Sequence, residues 1–432
     1  MALDPHLRAS ALNLGELDKL VQHSRRRGFA SANTSSGAVS LVHLPHYGVQ
    51  VSALTPRVDL KGSVSNVYDY LEREAVIALG GSVDGCTIPL SGGSAATCYL
   101  DLSGRELQVV KRIKRGGPMV PIDGHDRHLL EGQWLSGLTD DARNHFPRVT
   151  VSQNADAVEA RMQFVPAYTF GEMFFQRRIG HDQAKRFVTR SFAALERMLY
   201  VRKCDKSLDE TYTDKIRRRR IGYARASRDS DSVERAFTHP CRINGELCRP
   251  LDQLLDIVDA SRDLREVLRT PEPRICHGDF IPEDVLFLQP SCEPAFIDPN
   301  PLNTDPLLDL SKLTMACAIS YDCAVRDEVY VNYETLRELN TCAIGVNAPY
   351  ADIAERMQDL GKWIVRNARN LVSADVLPSS RLRPEYIELL AGLHALAIPE
   401  FHAAVHDRTL RANYFLRSGQ LVLERALVKM GR

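Results

Sequence analysis

Arg274-Ile-Cys-His277-Gly278-Asp279-Phe-Ile-Pro-Glu283-Asp284-Val-Leu-Phe-Leu288 runs through a short polar turn into Ala295-Phe-Ile-Asp298-Pro-Asn300, then Asp305-Pro-Leu-Leu-Asp309-Leu-Ser-Lys-Leu. The apolar runs Val285–Leu288 and Ala295–Ile297 flank Gln-Pro-Ser-Cys-Glu-Pro, a turn composition, so the spacing predicts a β-hairpin. The hairpin places Asp279 and Asp284 before one strand and Asp298 after the other, on one side. Three carboxylates there offer hard oxygen donors for Mg²⁺ beside phosphate oxygens. A single Asp would be read as a turn cap; three behind a His-Gly-Asp point to a site.

His-x-Asp-(four residues)-Asn, then Ile-Asp, then Asp-Pro-x-x-Asp-Leu-Ala is the pattern of the aminoglycoside phosphotransferase and choline kinase group, and this chain resembles it. The resemblance covers residues from about 85 to about 425 and is concentrated at the quoted stretch. It implies an α+β, protein-kinase-like two-lobe fold with a small β-rich N-lobe and a mainly helical C-lobe. It implies ATP and Mg²⁺ as cofactors, Asp279 as the base facing a substrate hydroxyl, and Asp284 and Asp298 as metal ligands. His277 and Asp309 would hold the loop. Asp284 stands where the family has Asn, a departure that opens a second reading as a catalytically weak, kinase-like nucleotide-binding protein.

Working outward, Ser91-Gly92-Gly93-Ser94 precedes a strand, and a glycine pair lets backbone approach a phosphate. Leu107-Gln-Val109-Val-Lys111 alternates, so Val109 and Lys111 share a strand face. An apolar side chain there can pack on adenine while an ammonium reaches phosphates. Asp126 is expected to cap a helix running through Trp134 and Leu138. The resemblance implies that Glu131 on that helix pairs with Lys111. Val158–Pro166 has period two and reads as a last small-lobe strand entering a hinge, where backbone near Gln163, Phe164 and Val165 would meet the adenine edge.

Helical periodicity begins near His181, with Val188, Phe192, Leu195 and Leu199 recurring at three and four. Arg217–Arg220 is either a solvated helix face or a contact for an anionic substrate, and argues mildly against an aminoglycoside. Arg242-Ile-Asn244-Gly245-Glu reads as a turn before a helix at Leu251–Val258. Beyond Asp309 the chain reads as helical, with Trp363, Val365 and Leu371 on one helix and Leu389–Ile398 buried. His402 and His406 are four apart but lack the Glu of a His-Glu-x-x-His motif, so they read as core or surface histidines.

Residues 1–62 form an N-terminal extension of unclear role, 63–166 the small lobe and hinge, and 167–432 the helical large lobe. Within the extension, Leu17–Arg27 is a candidate helix, and Val39–Leu44 and Val49–Leu54 are candidate paired strands. Ser65–Leu79 is a further candidate helix. In the 432-residue chain Lys+Arg and Asp+Glu are both 55, so no net field favours nucleic acid. No run of about 18 apolar residues predicts a membrane span, and the N-terminal stretch lacks the apolar run of a secretory leader. The ten cysteines are scattered, with Cys241 and Cys248 at a poor zinc spacing, and read as mostly buried free thiols. The expected protein is a cytoplasmic ATP-dependent kinase of a small-molecule hydroxyl acceptor. Similarity to a bacterial subgroup linked with carbohydrate pathways points to a sugar or related metabolite. A metal-dependent hydrolase would need more histidine or acidic ligands near the cluster than His277 supplies.

Overall fold

Near-alternating burial marks the central strands of the first sheet, Gln108–Lys114 and Ala157–Gln163. In the computed structural model, Thr87–Leu90 (β4), Thr97–Asp101 (β5), Gln108–Lys114 (β6), Val149–Gln153 (β7) and Ala157–Gln163 (β8) form a five-stranded antiparallel sheet of order β4-β5-β6-β8-β7. The structure describes residues 29–34, 37–44, 48–53, 87–90, 96–101, 108–114, 124–165, 167–205, 211–227, 230–270, 272–288, 291–335, 340–406 and 409–432. The chain divides into two compact units, Met1–Thr139 with Phe146–Tyr168, and Asp140–His145 with Thr169–Arg432.

In the first unit the helix Gly124–Ser136 (α1) packs on β7 and β8. Val110, Ile113, Val158, Met162 and Leu135 are buried in its core. The helix begins before Asp126, which lies in its first turn rather than at its cap, and ends at Ser136 rather than Leu138. An acid in the first turn still favours the helix through the partial positive charge of its N-terminus. A separate sheet joins Phe29–Thr34 (β1), Gly37–Leu44 (β2) and Gly48–Ala53 (β3). The expected pairing of the second and third strands is present, from Val39↔Ala53 to Leu44↔Gly48. The candidate helices at Leu17–Arg27 and Ser65–Leu79 and the Gly92-Gly93-Ser94 turn lie outside the described residues.

The second unit is mainly helical: Phe170–Phe175 (α2), His181–Leu195 (α3), Tyr212–Ala226 (α4), Ser230–Thr238 (α5), Leu251–Ala260 (α6), Arg262–Leu268 (α7), Pro306–Ala318 (α8), Tyr321–Val325 (α9), Ala351–Leu371 (α10), Pro384–Leu396 (α11), Pro399–His406 (α12) and Thr409–Lys429 (α13). α8 is apolar almost all round and lies against α10 and α11, as a helix buried on every face must be. α11 and α13 meet at Gly392 and Gly419. A Cβ on Gly392 would fall 2.8 Å from the Leu423 nitrogen, and one on Gly419 would fall 2.9 Å from Leu396 Cγ. Side chains at these positions would force the two helices apart.

Two strand pairs lie within the helical unit. Cys241–Ile243 (β9) and Glu246–Cys248 (β10) are strands joined by Asn244 and Gly245 with φ of 49° and 84°, the paired left-handed conformation of a two-residue hairpin turn. Val329–Thr335 (β13) and Asn340–Val346 (β14) form a second hairpin, and β14 runs parallel to β9. Val-Tyr-Val-Asn-Tyr has the strand alternation that a helical expectation overrode. The hairpin Val285–Leu288 (β11) and Glu293–Phe296 (β12) forms as predicted, in the register Val285↔Phe296. The described cysteines are free, and most are buried.

The start of α8 rests on a buried ion pair. Asp305 accepts from the Leu307 N–H at 3.0 Å as the N-cap, and Arg381 meets the same carboxylate at 2.6 and 3.2 Å. Arg381 also donates to the Val267 carbonyl at 2.7 Å. Removing one partner strands a buried charge. Arg381→Met is therefore expected to lower stability by about 3–5 kcal/mol in urea unfolding, and adding Asp305→Asn should recover part of that loss.

Candidate active site

Cys276, His277, Gly278 and Phe280 are buried, while the Asp279 side chain remains 31% exposed between them. The loop is held from below by one carboxylate. Asp309 on α8 is fully buried and accepts the His277 N–H at 3.0 Å, the Gly278 N–H at 2.6 Å and the Tyr200 hydroxyl at 3.0 Å. Tyr200 reaches it from a single π-type turn, Glu196–Tyr200, that continues α3. Burial pushes the Asp309 carboxyl up to about 7, against the Tyr200 hydrogen bond, the two backbone donors and the charge of Lys312.

His277 ties this loop to the next one. Its Nδ1 lies 3.3 Å from the Asp279 N–H and its Nε2 lies 2.9 Å from the Ile297 carbonyl. An imidazole with its proton on Nε2 satisfies both, accepting at one nitrogen and donating at the other. Gly278 has φ of +76°, and a Cβ there would sit 2.1 Å from the Asn300 carbonyl oxygen. The close approach lets the Asn300 N–H donate to His277 O at 2.7 Å and Asn303 Nδ2 to Gly278 O at 2.5 Å. The segment from Asp298 to Asn303 is thus sewn to the Asp279 loop by the Asn300 backbone and the Asn303 side-chain amide.

Asp284 and Asp298 stand at neighbouring strand ends. The Ile297 N–H donates to Asp284 O at 2.9 Å, so Asp284 lies across from Ile297, one residue from Asp298. Asp298 has φ of +56°, a left-handed conformation that Asp adopts more readily than most residues. Two carboxylates suit Mg²⁺, which is commonly held by one or two acids with phosphate oxygens and water completing its shell. Among the described residues no group of three His, Cys, Asp or Glu side chains is set to hold a metal ion. The three acids expected from sequence to share one site do not form such a group among the described residues. Asp279 is engaged elsewhere, with Lys312 Nζ 2.7 Å from its Oδ1. Lys312, to which the sequence pattern assigns no role, lies three residues after Asp309 on α8, one turn along the same face.

In the first unit Lys111 Nζ lies 3.1 Å from Glu131 Oε1, and both side chains are less than a tenth exposed. His128 Nδ1 lies 3.2 Å from Glu131 Oε2. Burial disfavours the Glu131 charge, but the Lys111 ammonium and His128 outweigh it and hold the carboxyl well below its usual range. Val109 is half-buried on the same strand. Phe164 and Val165 are half-buried beyond the end of β8. The Gln163 N–H already donates to Arg148 O at 2.8 Å, and Val165 O accepts from Ala167 at 2.8 Å. A base edge at this segment would have to use other groups than these two.

Three of the four arginines of the run are engaged within the helical unit. Arg217 bonds Asp259 at 2.6 Å and Asp256 at 2.9 Å. Arg219 lies 4.4 Å over the Phe401 ring. Arg220 bonds Asp252 at 2.9 Å and Glu234, and covers Phe237. Arg217, Arg219 and Arg220 thus tie α4 to α5, α6 and α12, while Arg218 is exposed. His394 is buried with Nε2 2.9 Å from Ser311 Oγ, and His402 is buried 4.9 Å from the Phe415 ring, as core histidines.

No protein-family model and no curated protein matches the chain. Among solved structures it is similar to choline kinase from Cryptosporidium parvum (9% identity, 80% of this chain and 90% of that one, TM-score 0.43). It is similar to a glucosamine kinase (14%, 99% and 98%, TM-score 0.38). A Haemophilus somnus protein assigned as a fructosamine-3-kinase is also similar (11%, 78% and 91%, TM-score 0.38). The fold class is α+β: a sheet-rich unit carrying the Lys111–Glu131 pair and a mainly helical unit carrying the Asp279 loop. No described helix is long and apolar enough to cross a membrane.

Two expectations follow. Asp309→Asn replaces one acceptor oxygen by an N–H₂ facing a backbone donor. It should lower stability by about 1–3 kcal/mol in chemical denaturation, and hydrogen exchange should show the Gly278 amide losing protection. Lys111→Met should cost about 3–5 kcal/mol by removing the ammonium that faces the buried Glu131. The folded pKa of Glu131 lies below its unfolded value of about 4.3. Its contribution is therefore present above that pH and lost as pH falls through the folded value. Acid titration of stability should show this segment of the loss in the parent chain and not in Glu131→Gln.

Proposed function

We propose that the protein is an ATP-dependent kinase that phosphorylates a hydroxyl of a small molecule. The observation that carries this reading is the double tie of the Asp279 loop. Asp309 fixes its backbone, and His277 joins it to the turn bearing Asp298. That arrangement presents one partly exposed carboxylate, with Asp284 and Asp298 at the two ends of the adjoining hairpin. Phosphoryl transfer needs little more than such positioning and charge stabilisation.

In this reading Asp279 orients the acceptor hydroxyl and receives its proton. Asp284 and Asp298 would hold Mg²⁺, whose contribution when bound is to neutralise phosphate charge. Lys111, kept in place by Glu131, contacts the phosphates, with Val109 against the adenine and the backbone near Phe164 and Val165 along its edge. The Gly92-Gly93-Ser94 turn belongs to the same nucleotide contact, and residues 63–166 and 167–432 are the two lobes. The acceptor class favoured is a sugar or related carbohydrate metabolite.

Asp279→Asn should keep nucleotide binding within about threefold and cut phosphoryl transfer by about 10²–10⁴-fold, the usual contribution of a positioned base. Near-normal transfer would remove Asp279 from the chemistry. Asp284 supplies a charged oxygen where the resembled family has a neutral one, so its activity should depend more steeply on the divalent ion. Turnover against Mg²⁺ and Mn²⁺ concentration should shift its optimum in Asp284→Asn and collapse in Asp284→Ala. Identical curves for all three forms would show that Asp284 does not touch the metal. An inactive parent chain that gains turnover on Asp284→Asn would establish the catalytically weak binding protein instead.

A further inference from the structure

Lys312 is the cation that the geometry sets against Asp279. Its Nζ lies 2.7 Å from Asp279 Oδ1 and 2.7 Å from the Gly278 carbonyl, and its side chain is only 12% exposed. An ammonium has three N–H donors. Two are used here, and the third has no partner among the described residues. Tyr212 and His394 lie nearby and are neutral. Burial, then the charge of Asp279, raises the Tyr212 phenol. Burial, then the charges of Lys312 and Lys215, lowers the His394 imidazole well below its usual value, with Asp279 opposing.

An ammonium bonded to a general base weakens that base, so the contact works against proton transfer taken alone. It becomes favourable if the same ammonium meets charge that develops during the reaction. A hydroxyl held by Asp279 at about 2.6–3.2 Å lies within roughly 6 Å of Lys312 Nζ, and the phosphorus it attacks is one bond further. The charge of a transferring phosphoryl group is spread over its equatorial oxygens. A donor fixed in place before the reaction stabilises such charge without reorganisation.

We infer that Lys312 is a catalytic residue of phosphoryl transfer, donating its third N–H to an oxygen of the phosphoryl group as it passes to the acceptor held by Asp279. The inference rests on the kinase reading of this site. In the step, the acceptor oxygen forms the new bond to the terminal phosphorus of ATP, and its proton goes to Asp279. The bond from that phosphorus to the bridging oxygen breaks, and ADP leaves with the electron pair. Lys312 remains an ammonium throughout.

The test uses the full chain with Mg·ADP, with and without aluminium fluoride as a mimic of the phosphoryl group in transit. The parent chain should bind ADP with aluminium fluoride at least about tenfold tighter than ADP alone, since transition-state mimics gain 10²-fold or more in favourable cases. Lys312→Met should leave ADP affinity within about twofold and lose most of that tightening. Lys312→Arg should retain much of it. Lys312→Gln, which keeps a donor for Gly278 O, should behave like Lys312→Met and guards against a folding defect. Equal tightening in the parent and in the Met and Gln variants would overturn the inference and leave the kinase reading standing. A parent chain that binds ADP equally with and without aluminium fluoride would overturn both.

Discussion

The site depends on one buried carboxylate. Asp309 has no solvent to stabilise it and is held instead by two backbone N–H groups of the Asp279 loop and by Tyr200. A buried acid without such donors would be strongly penalised. Because the donors come from the loop, the loop is fixed by the same bonds that make the acid tolerable. α8 carries Asp309 and Lys312 one turn apart, so a single rigid helix sets the backbone of the loop and grips the side chain of Asp279. The position of α8 is in turn secured by the Asp305 cap and Arg381.

The first unit has a parallel device. Lys111 is on a central strand and Glu131 on the helix packed against the sheet, and their ion pair is closed to solvent. The pair keeps a long, rotamer-rich side chain in one place. In both units a charged side chain is held in place by a charged partner, Lys111 by Glu131 and Asp279 by Lys312. Pre-arrangement of this kind suits phosphoryl transfer, where the protein contributes position and field more than bonds.

The hairpin Val285–Leu288 with Glu293–Phe296, and the placement of Asp279, Asp284 and Asp298 around it, could be read from local apolar runs and turn residues because strand register is set locally. The Lys111–Glu131 pair was legible only through family resemblance, since the two are joined by a helix–sheet contact that periodicity does not specify. The fates of Arg217 and Arg220 were hidden for the same reason: their acids sit on other helices, Asp256 and Asp259 among them. Lys312 was missed because nothing local distinguishes a lysine that turns toward a loop from one that faces water. The turn at Asn244-Gly245 was legible in its residue types, and only the two short strands it joins were not.

The central claim is that this chain moves a phosphoryl group from ATP to a small hydroxyl compound. Phosphorus NMR of the protein with Mg·ATP and pooled sugars and other hydroxylated metabolites measures that transfer directly. The expected result is a new phosphate-ester resonance that grows in step with ADP in at least one pool and is absent with Asp279→Asn. Bound nucleotide with neither ester nor ADP formed in any pool would contradict it.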